Sequence, residues 1–104
     1  MVRGARRGPP ARGLTATPDA AIAAIARALG HPARVHLLRL LAQDAAWCCG
    51  DLVARLPLAQ STVSRHLGVL QRAGLIYATA DGSRVVYRRD PGALRRLREL
   101  IAAL

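Results

Sequence analysis

The 104 residues predict a mainly α-helical chain with one small β-hairpin, in the order ααααββα. Three observations carry this. Apolar residues recur at three- and four-residue spacing in five separate runs, Gly and Pro punctuate those runs, and between residues 75 and 87 the period changes to two around Asp81-Gly82. Composition agrees: 52% hydrophobic but only 3% aromatic, with no Phe, suits a compact Ala/Leu/Val/Ile core of one domain rather than a disordered or collagenous chain.

Residues 1–17 hold Arg3, Arg6, Arg7 and Arg12 among Gly8, Pro9, Pro10 and Gly13, and read as a disordered basic tail ahead of a single domain at 18–104. Thr17 as N-cap, Pro18 at the first helical position and Asp19 in the first turn open a helix. It carries Ile22, Ile25 and Leu29 at helical spacing and ends at Gly30. His31-Pro32 opens a second helix in the same way. Val35, Leu37, Leu38, Leu40 and Leu41 give it the wide apolar arc of a central core helix, running to about residue 43. On that helix Arg34 and Arg39 require only solvated sides, His31 is a cap and His36 a helix-edge residue.

A short third helix is expected over 51–56, with Leu52, Val53 and Leu56 inward, and Pro57 breaks it. A fourth follows within four residues, carrying Val63, Leu67 and Leu70 to Ala73 and ending at Gly74. Leu75, Ile76 and Tyr77 then lead to Asp81-Gly82 as the two central residues of a tight turn, and Val85, Val86 and Tyr87 return. Asp90-Pro91 caps a last helix whose Leu94, Leu97, Leu100, Ile101 and Leu104 form one seam opposite Arg95 and Arg96.

The third and fourth helices, joined by Pro57-Leu58-Ala59, form a helix-turn-helix pattern, in which the second helix can enter a DNA major groove. With Val63 taken as inward and ~100° per residue, Leu67 and Leu70 fall within about 40° of it, and Ser61, Arg65, Gly68 and Arg72 point outward. Ser64 flanks that face and Gln60 precedes it. Arg prefers guanine, Gln suits adenine and Ser is permissive, so Gln60, Ser61, Ser64 and Arg65 are the candidate base readers. Thr62 and Arg72 suit phosphate oxygens. His66, about 60° off the inward axis, has two open roles: packing within the fold or reaching a phosphate. The hairpin completes a winged helix-turn-helix, with Ser83 and Arg84 at a wing tip over 81–84 that meets the adjacent backbone or minor groove.

Charge points the same way. Sixteen basic residues, all Arg, against six acidic ones make a formal charge of +10, which favours a polyanionic partner. A phosphate-cradling Gly-rich loop, a metal-ligand cluster and a nucleophile–base arrangement are all missing, which disfavours an enzyme. The longest apolar stretch, 20–26, is far short of the ~20 residues of a membrane span, and two adjacent cysteines make no disulfide framework. The expectation is a cytoplasmic protein without a membrane partner. Ile22, Ile25 and Leu29, with the seam of Leu94, Leu97, Leu100, Ile101 and Leu104, are more apolar helix surface than one 87-residue core needs, and predict a homodimer. A two-fold dimer presents two recognition helices about one DNA turn apart and so predicts a pseudo-palindromic double-stranded operator. The competing reading is a basic nucleoid-type protein that binds nucleic acid without sequence preference.

The runs His31-Pro-Ala-Arg34 leading into Val35-His-Leu-Leu, Cys48-Cys-Gly-Asp-Leu52 and Gln60-Ser-Thr-Val-Ser-Arg-His-Leu67 continue through Val69-Leu-Gln-Arg-Ala-Gly-Leu-Ile76 and Asp81-Gly-Ser-Arg-Val-Val-Tyr87. Together they resemble the ArsR/SmtB bacterial repressors over about 20–104. The resemblance implies a homodimeric winged-helix repressor, with the first and last helices at the dimer interface and an inducer that weakens DNA affinity. Metal-sensing members carry Cys-x-Cys-Asp or Cys-x-Gly-Asp on the third helix. Here Cys48 falls on the first cysteine and Cys49 on the middle position, while Gly50 replaces any second cysteine. Ala59 stands where the family often places a Ser N-cap, so a start of the recognition helix at a Ser61 cap is a second option.

Vicinal thiols suit As(III), Cd(II) or another thiophilic ion as inducer. A complete soft-metal site usually needs three or four ligands, however, and the tail holds no Cys or His, nor does any His follow His66. No cofactor is established by these residues. Metal sensing at Cys48 and Cys49, redox sensing, and a metal-independent regulator with inert cysteines remain three open alternatives.

Overall fold

The computed structural model describes residues 17–42 and 46–104. All of the expected tail at 1–17 except Thr17, and the expected end of the second helix at 43, lie outside them. The elements are α1 (Pro18–Ala28), α2 (Pro32–Leu41), β1 (Trp47–Cys48), α3 (Cys49–Val53), α4 (Gln60–Arg72), β2 (Ile76–Asp81), β3 (Arg84–Arg89) and α5 (Pro91–Ala102). The chain is thus mainly helical with a small antiparallel sheet, as the sequence predicts.

The helix ends follow local chemistry. Thr17 Oγ1 accepts the Ala20 N–H at 3.1 Å, His31 Nδ1 that of Ala33 at 3.1 Å, and Asp90 Oδ1 that of Gly92 at 3.0 Å, each ahead of a proline in the first turn. α4 ends in a Schellman turn. Gly74 sits at φ 78°, its N–H donates to Gln71 O at 3.0 Å, and the Leu75 N–H donates to Leu70 O at 3.0 Å while the Leu75 side chain is buried.

Three expectations need correction. The third helix starts at Cys49 and ends at Val53 rather than spanning 51–56, because Asp51 Oδ2 reaches back to the Cys48 N–H at 3.1 Å and caps the helix there. The recognition helix starts at Gln60 with Ala59 at the N-cap and no side-chain cap bond, so the Ser61 start is not adopted. At the wing, Asp81 pairs with Arg84, which leaves Gly82 and Ser83, not Asp81-Gly82, as the loop. Gly82, at φ 65°, supplies the positive φ that a tight hairpin turn needs at its first central position.

The sheet has a third strand that no periodicity announced. β1 pairs antiparallel with β3, Trp47 opposite Tyr87 and Cys48 opposite Val86, in the order β1-β3-β2. Two residues are too few to show alternation. Trp47 is buried, and the Arg55 guanidinium lies 5.0 Å from its ring centroid, pinning the turn between α3 and α4 to the sheet. The core gathers Leu37, Leu52, Val63, Leu67, Leu70 and Leu75 at full burial, with four leucines of α2 inside, as its wide apolar arc requires.

Leu37→Ala should lower unfolding free energy by about 2–5 kcal/mol, and Gly74→Ala by about 1–2 kcal/mol through strain at positive φ. Urea titrations of both variants measure this, and a neutral Gly74→Ala would contradict the left-handed turn.

Candidate nucleic-acid interface

The recognition helix has two chemically different sides. Val63, His66, Leu67 and Leu70 are buried, whereas Gln60, Ser61, Ser64, Arg65 and Arg72 are exposed and Thr62 is half-buried. Its polar side therefore faces away from the protein's own packing. Gly68 lies in the helix interior, and a Cβ there would stand 3.3 Å from Arg72 Nη1. The missing side chain lets Arg72 fold back over Gly68, one turn toward the start of the helix.

His66 is not on that outward side. It is 3% exposed, its Nδ1 accepts from Arg34 Nε at 3.2 Å, and its ring lies 4.5 Å from that of His31. Of the two roles left open for it, the geometry is that of packing. Arg34 corrects a second expectation, since it is half-buried rather than merely solvated. Besides His66 it donates through Nη1 to Arg27 O and Ala28 O, both at 3.1 Å. One guanidinium therefore joins the last carbonyls of α1, the start of α2 and the middle of α4. Sequence periodicity missed it because the partners are six, seven and thirty-two residues away.

An open cleft of about 230 Å³ between α1 and the end of α4 is lined by Ala24, Arg27, Ala28, Val69, Arg72 and Ala73. It brings Arg27, which periodicity did not single out, near Arg72 on the same rim.

At the wing, Ser83 and Arg84 are exposed. Arg84 Nη2 donates to Asp51 Oδ2 at 3.3 Å, the oxygen that also accepts the Cys48 N–H. Asp51 was not among the sequence candidates. Its carboxyl is held below the usual carboxylate range by hydrogen bonds from the Cys48 side chain and backbone, with Arg84 adding to the effect. Cys48 and Cys49 are free and half-buried. Burial, and then the neighbouring Cys48, push the Cys49 thiol up from its ordinary value. Among the described residues no group of three or more His, Cys, Asp or Glu side chains is placed to hold a metal ion. The thiol pair thus offers two soft donors within the chain.

The proposed dimer residues divide into two sets. Ile25 and Leu97 are buried in the chain's own core, where α1 packs on α5. Ile22, Leu29, Leu94 and Leu100 are half-buried, and Ile101 and Leu104 remain 51% and 86% exposed. Among the described residues no helix is long and apolar enough to cross a membrane.

A polar helix face projecting from a helix-turn-helix with a hairpin beside it defines a DNA-binding module, and comparison with known proteins agrees. A helix-turn-helix domain family matches residues 29–76. The HTH-type transcriptional regulator CmtR of Mycobacterium tuberculosis is 39% identical over 84 residues, covering 80% of this chain and 70% of the relative. An ArsR-like transcriptional regulator from Rhodococcus superposes with a TM-score of 0.74 at 26% identity, over 81% of this chain and 78% of that one. A homodimeric winged helix-turn-helix DNA-binding domain from Mycobacterium bovis, described as a possible ArsR-family regulator, superposes with a TM-score of 0.71 at 23% identity, over 99% and 89%. The last likeness concerns the fold. This chain belongs to the ArsR/SmtB family of winged helix-turn-helix transcriptional regulators.

His66 carries a pH prediction. Burial lowers its pKa below the ordinary 6.5, and the charges of His31, Arg34 and Arg65 lower it further, so the folded state binds its proton less readily than the unfolded chain does. The stability it contributes is complete above the ordinary value and is lost as pH falls from there toward the lowered folded value. Urea midpoints should therefore drop on acidification below about pH 6.5, and His66→Gln should flatten that part of the profile.

Proposed function

We propose that this chain acts in the cytoplasm as a homodimeric, sequence-specific transcriptional repressor that occupies a pseudo-palindromic operator. The observation that carries the reading is the free polar side of α4 opposite a fully locked apolar side. Gln60, Ser61, Ser64 and Arg65 read base edges, and Thr62 and Arg72 take phosphates with Arg27 beside them. Ser83 and Arg84 meet the flanking backbone or minor groove. The dimer is supported by Ile101 and Leu104, exposed at and just past the end of a helix whose leucines Leu94, Leu97 and Leu100 are partly or fully covered. The homodimeric winged-helix neighbour has the same fold.

Competition between the operator and random DNA at fixed salt separates this from a nucleoid-type protein. The repressor prefers one palindrome by on the order of 10³-fold or more, and Arg65→Ala removes that preference, at about 1–3 kcal/mol per half-site, more than it removes general affinity. Equal affinity for random DNA would end the repressor reading.

The second reading concerns the inducer, and it is favoured by two free thiols placed at the start of α3, with Cys48 beside the wing strand. Two soft donors suit a trivalent arsenical, which binds two thiolates and leaves one position to hydroxide or an organic group. A tetrahedral ion such as Cd(II) needs further ligands from elsewhere. Because burial holds the Cys49 proton, capture should quicken as pH rises. Arsenite should release operator from the wild type but not from the Cys48→Ser/Cys49→Ser variant, and more completely than Cd(II) does. Unchanged operator binding with both would leave a metal-independent regulator.

A further inference from the structure

We infer that Asp51 is a relay: it orients the wing's Arg84 for DNA and passes the chemical state of Cys48 to it, a step that rests on the thiol reading above. Three elements meet at one carboxylate oxygen. Asp51 Oδ2, in the first turn of α3, accepts the Cys48 N–H at 3.1 Å and the Arg84 Nη2 donor at 3.3 Å. Strand register puts Cys48 and Arg84 on one face of the sheet, since Cys48 faces Val86 and Arg84 lies two residues before Val86 on β3, and α3 follows Cys48 directly.

Geometry sets the direction of the effect. A guanidinium has five donors in a fixed plane, and Asp51 engages it through Nη2, which orients the half-exposed Arg84 side chain while leaving further donors of the plane for DNA. Arg84 stands at the wing tip opposite Asp81, where the hairpin pairing ends. The bond to Asp51 ties its head to the helix-turn-helix body. The exposed ion pair is weak enough to break and re-form, and a weak tie is what a neighbouring chemical event can shift. A group captured on the Cys48 sulfur takes space beside the shared oxygen, moves Asp51 off its cap, and leaves Arg84 unguided. DNA affinity falls because the wing loses its prepared contact.

A double-mutant cycle on operator binding tests the tie without any thiol ligand, and it cancels the general electrostatic effect of removing a negative charge near DNA. Arg84→Gln in the wild type should lower affinity and reduce the slope of log K against log salt by about 1.8, or ~0.9 for each wing of the dimer. In an Asp51→Asn background the affinity cost of Arg84→Gln should be at least about threefold smaller. An equal or larger cost in that background would overturn the relay, since it would mean that Asp51 leaves Arg84 unaffected or withholds it from DNA.

The thiol arm uses phenylarsine oxide. Two S–As bonds form, the oxide oxygen leaves as water with the two thiol protons, and no redox change occurs. Mass spectrometry and a free-thiol count establish uptake in the wild type and in Asp51→Asn. Treated wild type should behave as Asp51→Asn does, with the cost of Arg84→Gln reduced to the same degree. Full uptake and operator release with the Arg84→Gln cost unchanged would overturn the relay while leaving the thiol reading standing. Full uptake without release would remove the thiol reading, and the relay's second half with it; the untreated cycle would still decide whether Asp51 orients Arg84.

Discussion

The arrangement depends on one guanidinium. Arg34 gives its donors to two carbonyls at the end of α1 and to the imidazole of His66 in the middle of the recognition helix. It is fixed at its own end by α2, whose first turn is capped by His31, and the His31 ring lies against His66. An uncompensated polar group in that position would cost more than its bonds return, so the arginine, the histidine and the terminal carbonyls stand or fall together. Their joint effect is to set how α4 rolls about its axis. That roll decides which side chains face outward, and hence whether Gln60, Ser61, Ser64 and Arg65 can meet a groove at all.

Much of this was readable in the order of residues. The inward set Val63, Leu67 and Leu70 follows from helical period alone, and so does the outward set, because 100° per residue leaves Ser61 and Arg65 nowhere else to point. Capping residues followed by proline announced α1, α2 and α5, and Gly74 announced the end of α4. What escaped is what depends on distance in space. Strand β1 has two residues and no period. Arg34 looked like a solvated helix residue because its partners lie on other elements. The start of α3 moved forward because Asp51 caps backward onto Cys48, which spacing between apolar residues cannot express. The wing loop shifted by one residue because strand register, not the Asp-Gly pair itself, decides which two residues turn.

The same distinction runs through the site. Which side chains of α4 face outward followed from the pattern, whereas the residues that hold others in place, Arg34 and Asp51, became visible only with tertiary contacts. His66 shows the boundary between the two. Its angle on the helix wheel lay between inward and outward, and burial with a satisfied Nδ1 decided the matter. The thiol pair is the remaining part in which residue type outruns geometry: two donors are present and a third within the described chain is not.

The central claim is that a pair of these chains sets two α4 helices into successive major grooves on one face of the duplex, with the wings on the flanking backbone. Hydroxyl-radical footprinting of the operator complex tests it most directly. The account predicts two protected segments related by a dyad, centred about 10 base pairs or a small multiple of that apart, each with an outer flank that depends on the wing. A single continuous footprint with no helical phase or dyad would contradict it.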